Sequence, residues 1–336
     1  MRILLVDDDD ITLDLLATML QEAGHEVVSA RHGREAQEIL AKGDIHFVIS
    51  DWLMPEMDGL QLCRWIREQM RTGYTYIILL TSQNRTEDIV QGLSAGADDF
   101  IAKPFDPAEL AVRVKVGERI LSIETRHVAI FALAKLAESR DPETGQHLER
   151  MREYASLLAR AVSETPAWSD QLSANFTEMI YLTSPLHDIG KVGIPDGVLL
   201  KPGRLTDREF EIMKTHTAVG GDTLAAAVQQ YPTIEYLCMA RDIALGHHER
   251  YDGSGYPLGL CGDTIPLCAR ITALADVYDA LTSKRVYKGA YTHEVARTIV
   301  SEGKGAHFDP LLVELFLEHE EAFIAIRDRY SEPGEG

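Results

Sequence analysis

Short apolar runs alternate with amphipathic stretches along roughly the first 105 residues of the chain. The apolar runs have the length and character of strands buried on both faces. They lie at Ile3–Val6, Val27–Val28, Phe47–Ile49, Ile77–Leu80 and Phe100–Ala102. The stretches between them, such as Ile11–Glu22 and Arg34–Ala41, carry apolar residues at helical spacing. This alternation predicts an α/β doubly wound domain with a parallel five-stranded sheet and a ligand site outside the carboxyl ends of its strands.

The pattern becomes helical from Pro107 onward. Residues 107–140 contain no further proline and a single glycine, Gly117, which predicts a long helical connector that begins as the last helix of the first domain. After this connector the chain shows helical periodicity and loops rich in Gly and Pro, but no strand pattern. We therefore expect a first domain over residues 1–120 and an all-α second domain over residues 125–330, with the connector overlapping both.

The length and the net charge of the chain limit the classes of function that it can have. A chain of 336 residues is too long for one typical core and favours two domains. The net charge of −20 disfavours binding to DNA or to an anionic membrane surface, so an anionic substrate must be held by local positive charge. The four cysteines form no C-x-x-C pair, no apolar run reaches the roughly 18 residues of a membrane span, and the start MRILLVDDDD is no signal peptide. We expect a cytoplasmic protein with reduced thiols.

Chemically useful side chains follow four of the predicted strands. Asp7 and Asp8 come directly after the first strand, Asp51 after the third, Thr81 after the fourth and Lys103 after the fifth. Because the carboxyl ends of parallel strands meet at one edge of a sheet, we expect these side chains to share a pocket. Clustered carboxylates suit a hard cation such as Mg²⁺, and a hydroxyl and an ammonium beside it stabilise phosphoryl transfer onto Asp51.

The stretches LLVDDDD, VISDWLMPEMDG, LLTSQ and FIAKPF resemble the response-regulator receiver family over roughly residues 1–120. The resemblance implies that Asp51 is the phosphoacceptor, that Asp8 binds Mg²⁺ directly, and that Asp7 assists, directly or through water. The run of four aspartates leaves the pocket assignment open. We take the first two because they directly follow the strand.

The same resemblance implies a readout of phosphorylation. Thr81 and Lys103 would contact the phosphoryl group, and Phe100 occupies the position of the family's switch aromatic. The Lys103–Pro104 bond is a candidate cis peptide, since proline lowers the cost of the cis form. A cognate sensor histidine kinase is the implied partner.

The second half of the chain holds a denser set of metal-binding side chains. They occur in the stretches DPETGQH, LHDIGKVGIP, KTHTAVG, GHHERYDGSGYP and ADVYDALTSKRVYK. Read as ligands, these stretches offer Glu143, His147, His187, Asp188, His216, His247, His248 and Asp276. Imidazoles mixed with carboxylates suit Fe, Mn, Zn or Ni better than Mg²⁺ alone, and this number of ligands is enough for two or three ions.

The spacing of these residues is compatible with shared ions. Glu143 and His147 are four residues apart, so on a helix they lie on one face and can bind one ion together. Adjacent residues on a helix diverge by about 100°. For the pair His187–Asp188 this predicts a bridging aspartate beside a terminal histidine, and for His247–His248 it predicts ligands for two different ions or faces.

Other residues near these ligands suit supporting roles. Asp279 follows Asp276 by three residues and is predicted to orient a ligand from the outer shell, as is Asp141. Two metal ions clamp the attacking and leaving oxygens of a phosphoryl displacement, and a bridging water attacks as hydroxide. Asp188 and Lys191 are therefore the predicted catalytic residues, with Lys191 reaching the phosphate being cleaved. The residues predicted to hold the other phosphate are Arg285 and Lys288.

The C-terminal region resembles the HD-GYP family of phosphohydrolases over roughly residues 125–330, with His187-Asp188 and Gly255-Tyr256-Pro257 as the name motifs. The resemblance implies a helical HD fold, a centre of two or three metal ions, and hydrolysis of cyclic di-GMP to pGpG or GMP. Iron or manganese is the implied metal, with nickel and zinc as alternatives. Glu143 matches the position that family members use for a third ion.

The loop that contains Gly255, Tyr256 and Pro257 shapes the substrate pocket in that family. Its glycines allow the backbone to approach a base or phosphate closely. Tyr287 is predicted to contact the ligand in a similar way. The loop is also the implied surface for a GGDEF-type protein partner.

Three functions remain open at this point. The leading hypothesis is a phosphorylation-regulated cyclic di-GMP phosphodiesterase, in which Asp51 controls a receiver dimer and rotates the connector. The second is a cyclic-dinucleotide sensor or interaction hub whose output survives substitution of His187–Asp188. The third is a phosphodiesterase for another cyclic dinucleotide. A homodimer is expected from the receiver resemblance and the long connector.

Overall fold

A computed structural model describes residues 1–68, 74–82, 86–140, 146–283 and 289–330. The chain divides into two compact units, Met1–Val128 and Ala129–Gly336. The first is α/β and the second is helical, which confirms the predicted fold class. The predicted domain limits of 1–120, 107–140 and 125–330 stay predictions. Within the described ranges, no helix combines the length and the apolar character that crossing a membrane requires.

The first unit is built around a five-stranded sheet in which every pairing is parallel. Its strands are β1 (Arg2–Val6), β2 (Glu26–Ala30), β3 (Phe47–Asp51), β4 (Tyr76–Thr81) and β5 (Asp99–Ala102), in the spatial order β2-β1-β3-β4-β5. Its helices are α1 (Asp10–Glu22), α2 (Gly33–Leu40), α3 (Gly59–Glu68), α4 (Thr86–Ser94) and the first part of α5 (Pro107–Glu138). Strands β3 and β4 are buried along their whole length, because two separate hydrophobic clusters cover the two faces of the sheet.

The helix α5 runs as one element across the boundary between the units. In the first unit Leu110 and Val114 of this helix belong to the core on one face of the sheet. In the second unit Ala134 belongs to a small buried cluster with Leu148 and Leu186. The continuous apolar pattern of the sequence thus corresponds to a continuous helix.

The second unit is a bundle of helices. Its helices are α6 (His147–Glu164), α7 (Phe176–Thr183), α8 (Asp196–Leu199), α9 (Asp207–Gln230), α10 (Glu235–Gly246), α11 (Leu267–Thr282), α12 (His293–Glu302), α13 (Pro310–Glu318) and α14 (Glu320–Arg329). Three short 3₁₀ helices lie at Ser184–Leu186, Ile189–Gly193 and Gly262–Thr264. The core packs α6 and α11 against α13 and α14 through the rings of Tyr154, Tyr278, Phe316 and Phe323. This core holds the ends of α6 and α11 that carry the predicted metal ligands.

Candidate metal centre and acidic pocket

The predicted metal ligands that fall within the described residues meet in two clusters. Ligand atoms within each cluster all lie within 4.8 Å of one another. The His216 cluster contains Asp188, His216, His247 and His248, and the His147 cluster contains His147, His187 and Asp276. The remaining predicted ligand, Glu143, and the predicted outer-shell residue Asp141 lie outside the described residues.

Several elements deliver these side chains to one place. His147 is the first residue of α6, His216 lies within α9, and Asp276 lies within α11. The pair His187–Asp188 lies between the 3₁₀ helices Ser184–Leu186 and Ile189–Gly193. The pair His247–His248 directly follows α10. Helix ends, short turns and the interiors of two helices therefore build the site together.

One expectation about the adjacent pairs was wrong, and the other pair lies in a local structure other than an α-helix. His187 and Asp188 do not share an α-helix, because the chain passes through two 3₁₀ helices at this point. His247 and His248 do not diverge to different ions or faces, because α10 ends at Gly246 and the chain turns. Both histidines join the same cluster, and their ring centroids are 4.1 Å apart.

Two carboxylates lie among the imidazole nitrogens. The Oδ1 atom of Asp188 is 3.1 Å from Nε2 of His216 and 3.7 Å from Nε2 of His247. Its Oδ2 atom is 3.3 Å from Nε2 of His187. The Oδ1 atom of Asp276 is 3.8 Å from Nε2 of His147 and 3.9 Å from Nε2 of His187. Asp188 thus faces both clusters, as a bridging ligand would.

Hydrogen bonds fix the orientation of four imidazole rings. The Nδ1 atoms of His187, His216 and His247 lie 3.0, 2.8 and 3.1 Å from the carbonyl oxygens of residues three or four positions earlier. A carbonyl oxygen can only accept, so Nδ1 of each of these rings donates to it, and Nε2 is the ring nitrogen that faces the clusters. The Asp279 carboxylate fixes the ring of His147 in the same way, because its Oδ2 atom lies 2.7 Å from Nδ1 of His147. Partners of this kind orient histidine ligands in metal sites.

Burial and local charge shift the pKa values of the candidate ligands in different directions. Burial alone would lower the pKa of His187, but the neighbouring Asp188 carboxylate raises it. Burial lowers the pKa of His247 and lowers that of His248 well below its usual value, which keeps both imidazoles neutral. Burial alone would raise the pKa of Asp188, but Lys191 and His187 hold that pKa well below its ordinary value. Asp188 therefore stays an ionised carboxylate, with the Lys191 ammonium 2.8 Å from its Oδ2 atom.

The residues present fit a transition-metal centre. The Nε2 atom of His187 is fully buried and makes no hydrogen bond in the described part of the chain. A buried imidazole nitrogen in this condition carries a free-energy cost that a metal ion would remove. The mixed imidazole and carboxylate donors suit iron, manganese, zinc or nickel. The two clusters provide donors for two such ions.

Sequence reasoning missed three residues that support the site. Arg150 donates from Nε to Oδ1 of Asp279 at 2.6 Å and follows His147 by three positions on α6. Glu138, the last residue of α5, places Oε1 3.9 Å from Nε2 of His147. Glu249 directly follows the paired histidines. The sequence did contain a clue to two of them, because Arg150 and Glu249 are charged residues that lie close to predicted ligands along the chain.

Glu249 holds the glycine-rich loop against the metal centre. Its buried carboxylate accepts from the backbone N–H of Leu258 at 2.7 Å and of Leu260 at 3.0 Å. A side chain at Gly255 would meet the Arg250 nitrogen at 2.2 Å, so only glycine fits there. The Tyr256–Pro257 bond is cis. The predicted substrate residues Arg285, Tyr287 and Lys288 lie outside the described residues.

At Gly190 the segment that follows Asp188 packs closely against helix α9. A Cβ atom at this position would lie 1.9 Å from the His216 carbonyl oxygen and 2.5 Å from the Gly220 nitrogen. We expect Gly190→Ala to lower the free energy of unfolding by about 1–3 kcal/mol, the usual cost of overpacking, and to reduce bound metal. Thermal unfolding and metal analysis measure the two effects.

Gly197 provides the matched control for this substitution. It lies in the nearby helix α8, and a Cβ atom there would meet nothing within 4 Å. We expect Gly197→Ala to leave metal content unchanged and to stabilise the fold by up to about 1 kcal/mol. Equal stability and metal content for the two alanine variants would contradict the described packing.

The acidic pocket of the first unit lies at the carboxyl ends of the strands. Ligand oxygens of Asp7, Asp8 and Asp51 lie within 4.8 Å of one another. The Lys103 ammonium is 2.7 Å from Oδ2 of Asp7 and 2.5 Å from Oδ1 of Asp51. Asp9, in contrast, caps α1 by accepting from two backbone N–H groups. The structure therefore places the first two aspartates of the run in the pocket, together with Asp51.

The other predicted pocket residues lie nearby in the sheet. Thr81 ends β4 and is buried, and Phe100 of β5 packs against the core. The Lys103–Pro104 bond is cis, as the sequence suggested. Burial raises the pKa of Asp51, and Lys103 only partly offsets this rise. Burial would lower the pKa of Lys103, but Asp51 and Asp7 raise it above its ordinary value.

Comparisons with known proteins agree with both halves of this description. The family model of the response regulator receiver domain matches residues 3–115, and that of the HD domain matches residues 132–312. The chain is 41% identical over 354 residues to a probable cyclic di-GMP phosphodiesterase of Vibrio cholerae serotype O1, with 98% of this chain and 80% of the relative covered.

Two further relatives show the range of substrates named among similar proteins. The chain is 36% identical over 342 residues to the cyclic di-GMP phosphodiesterase response regulator RpfG of Xanthomonas campestris pv. campestris, with 94% of this chain and 87% of the relative covered. It is 44% identical over 204 residues to the 3'3'-cGAMP-specific phosphodiesterase 2 of Vibrio cholerae, with 61% of this chain and 37% of the relative covered.

Proposed function

Because the chain belongs to the response regulators that combine a receiver domain with an HD domain, we propose that it hydrolyses cyclic di-GMP at its metal centre. The product would be pGpG or GMP. Phosphorylation of the receiver domain would control this activity, with a sensor histidine kinase as the phosphodonor. The proposal draws its substrate from the names of the relatives and its chemistry from the residues of the two clusters.

One observation carries the proposal most strongly. Four buried imidazoles keep their Nδ1–H groups occupied and direct Nε2 toward the carboxylates of Asp188 and Asp276. A purely structural role does not require the Nε2 atoms of four separate rings to face the same two carboxylates. Convergent Nε2 atoms around two carboxylates favour bound metal ions.

The residues divide the work of phosphodiester cleavage between them. Asp188, His216, His247 and His248 would hold one ion, and His147, His187 and Asp276 would hold a second, with the two oxygens of Asp188 facing different clusters. Such ions, when bound, supply a Lewis acid for the phosphate oxygens and an acidified water as nucleophile. Glu143 would contribute to a third ion.

Lys191 is proposed to act beside the carboxylate of Asp188. Its ammonium is 2.8 Å from Asp188, and its side chain is largely buried. This position keeps Asp188 ionised and places a positive charge next to the site where an anionic phosphate must bind. Arg285 and Lys288 are proposed to hold the second phosphate of a cyclic dinucleotide.

Asp51 is proposed as the site of phosphorylation. We expect wild-type protein to gain a phosphoryl group from a small-molecule phosphodonor with Mg²⁺, and Asp51→Asn to gain none, because the amide lacks the nucleophilic oxygen. Intact-protein mass spectrometry measures the modification. Asp9→Asn, which changes the α1 cap outside the pocket, serves as the control and should be modified like wild type.

Product analysis tests the proposed activity. Protein purified anaerobically and loaded with iron or manganese should convert cyclic di-GMP to pGpG or GMP in a chromatographic assay. Metal-loaded protein that binds cyclic di-GMP but leaves it uncut would instead support the sensor function. Cleavage of 3'3'-cGAMP in preference to cyclic di-GMP would move the proposal to another cyclic dinucleotide.

A further inference from the structure

Two aromatic rings and a lysine lie together beside the metal centre. Phe210 and Lys214 are on α9, and Tyr256 is on the glycine-rich loop. The ring centroids of Phe210 and Tyr256 are 6.3 Å apart and nearly perpendicular. The Lys214 ammonium lies 5.6 Å from the centroid of each ring. None of the roles assigned above uses Phe210 or Lys214.

This trio is continuous with the His216 cluster. The Tyr256 ring stacks on His248, with centroids 4.8 Å apart and an interplanar angle of 29°. Lys214 precedes the ligand His216 by two positions on the same helix. Tyr256 is half-buried, whereas Phe210 is 47% exposed. Phe210 is thus a solvent-exposed aromatic side chain that contacts Tyr256, and the Tyr256 ring in turn stacks on His248 of the His216 cluster.

We infer that Phe210, Lys214 and Tyr256 form a subsite for one nucleobase of the substrate, and that Lys214 selects guanine. The inference rests on the proposed function and adds base specificity to it. An exposed aromatic face binds any base by stacking. A lysine beside that face donates hydrogen bonds to acceptors on the edge of the base.

The chemistry of the lysine distinguishes guanine from adenine. Guanine presents two acceptors, O6 and N7, on one edge, whereas adenine presents N7 and an amino donor. An ammonium has three donors and no acceptor, so it matches the guanine edge. Lys214 uses one donor in an exposed ion pair with Glu211 at 2.6 Å. Two donors remain for a base.

Paired substitutions separate stacking from base readout. Phe210→Leu removes the exposed ring, and Lys214→Met removes the donor while keeping an unbranched side chain. Tyr231→Leu, an exposed aromatic at the far end of α9, and Lys42→Met, an exposed lysine in the first unit, are the matched controls. Dissociation constants are measured on the metal-loaded full-length proteins with hydrolysis-resistant phosphorothioate analogues of cyclic di-GMP and cyclic di-AMP.

Different losses are expected for the two variants. Phe210→Leu should weaken both analogues alike, by about tenfold, because stacking tolerates any base. Lys214→Met should lower the preference for the guanine analogue over the adenine analogue by about tenfold, since loss of general charge affects both equally. The control variants should bind like wild type, and all proteins should hold the same amount of metal.

The results distinguish this inference from the proposed function. An unchanged guanine preference in Lys214→Met, or unchanged binding in Phe210→Leu, overturns the subsite even where wild type cleaves cyclic di-GMP. The expected binding losses in a protein that cleaves no cyclic dinucleotide would support the subsite and refute the phosphodiesterase. Absence of analogue binding to wild type overturns both.

Discussion

Asp188→Ala is expected to abolish cyclic di-GMP turnover and to lower metal binding at both clusters together. Asp188 is the residue whose two carboxylate oxygens face different clusters, with Oδ1 toward His216 and Oδ2 toward His187. Removing it also takes away the carboxylate oxygen that lies 2.8 Å from the Lys191 ammonium. The loss of activity should exceed the about 10- to 100-fold that removal of an outer-shell partner causes.

Metal content and turnover rate, measured on the same samples, check this expectation. Single-cluster variants give the comparison: His248→Ala should reduce binding at the His216 cluster and His147→Ala at the His147 cluster, with part of the metal retained in each. Asp222→Ala, an exposed aspartate on α9, should behave like wild type. Full metal content in Asp188→Ala would contradict a bridging role.

Asp279→Ala is expected to lower the free energy of unfolding by about 3–5 kcal/mol, because it removes one partner of a buried ion pair with the Arg150 guanidinium. Both side chains are almost fully buried, and Arg150 donates to both oxygens of Asp279 at 2.6 and 3.0 Å. Burial alone would raise the pKa of Asp279, but His147 and Arg150 hold it below its ordinary value. The carboxylate is therefore ionised and paired in the folded state.

The same substitution should weaken metal binding about 10- to 100-fold, because His147 loses the partner that orients its ring. Urea unfolding followed by circular dichroism measures stability, and metal titration measures affinity. The double variant Arg150→Met/Asp279→Leu should recover most of the stability without recovering the affinity. A stability loss below about 1 kcal/mol for Asp279→Ala, as for a surface pair, would contradict the described burial.

Much of the fold could be predicted from the sequence, because strands that are buried on both faces consist almost entirely of apolar residues. Strands such as Phe47–Asp51 and Tyr76–Thr81 are nearly continuous apolar runs, and each ends at a residue of the acidic pocket. The topology of a doubly wound sheet then brings these ends together. The helix α5 was readable for a related reason, since its sequence contains no break between Pro107 and Glu138.

The composition of the metal site was predictable, but its geometry was not. Histidines and aspartates in successive motifs indicated ligands, yet the grouping of His247 with His248 depends on where α10 ends. Gly246 and the turn after it gave no clear signal of that end in the sequence. A helical extrapolation past the last turn therefore separated two side chains that the folded chain brings together.

Asp279 was predicted as an outer-shell residue, but Arg150, which acts through Asp279, was not. Arg150 and Asp279 are 129 positions apart, and their contact exists only because α6 and α11 pack side by side. Phe210 likewise meets Tyr256 across two elements, at a spacing that follows no local period. Periodicity reports which face of a helix is buried, but it does not report which distant residue the face meets.

The most direct test of the account is the rate of cyclic di-GMP hydrolysis as iron or manganese is added back to metal-free protein. The account predicts no turnover without metal, and turnover that rises as the chain binds more than one ion, with no activity at any metal level in Asp188→Ala. Turnover by metal-free protein, or by Asp188→Ala at the wild-type rate, would contradict a metal-dependent phosphodiesterase. So would metal-loaded wild type that leaves cyclic di-GMP uncut.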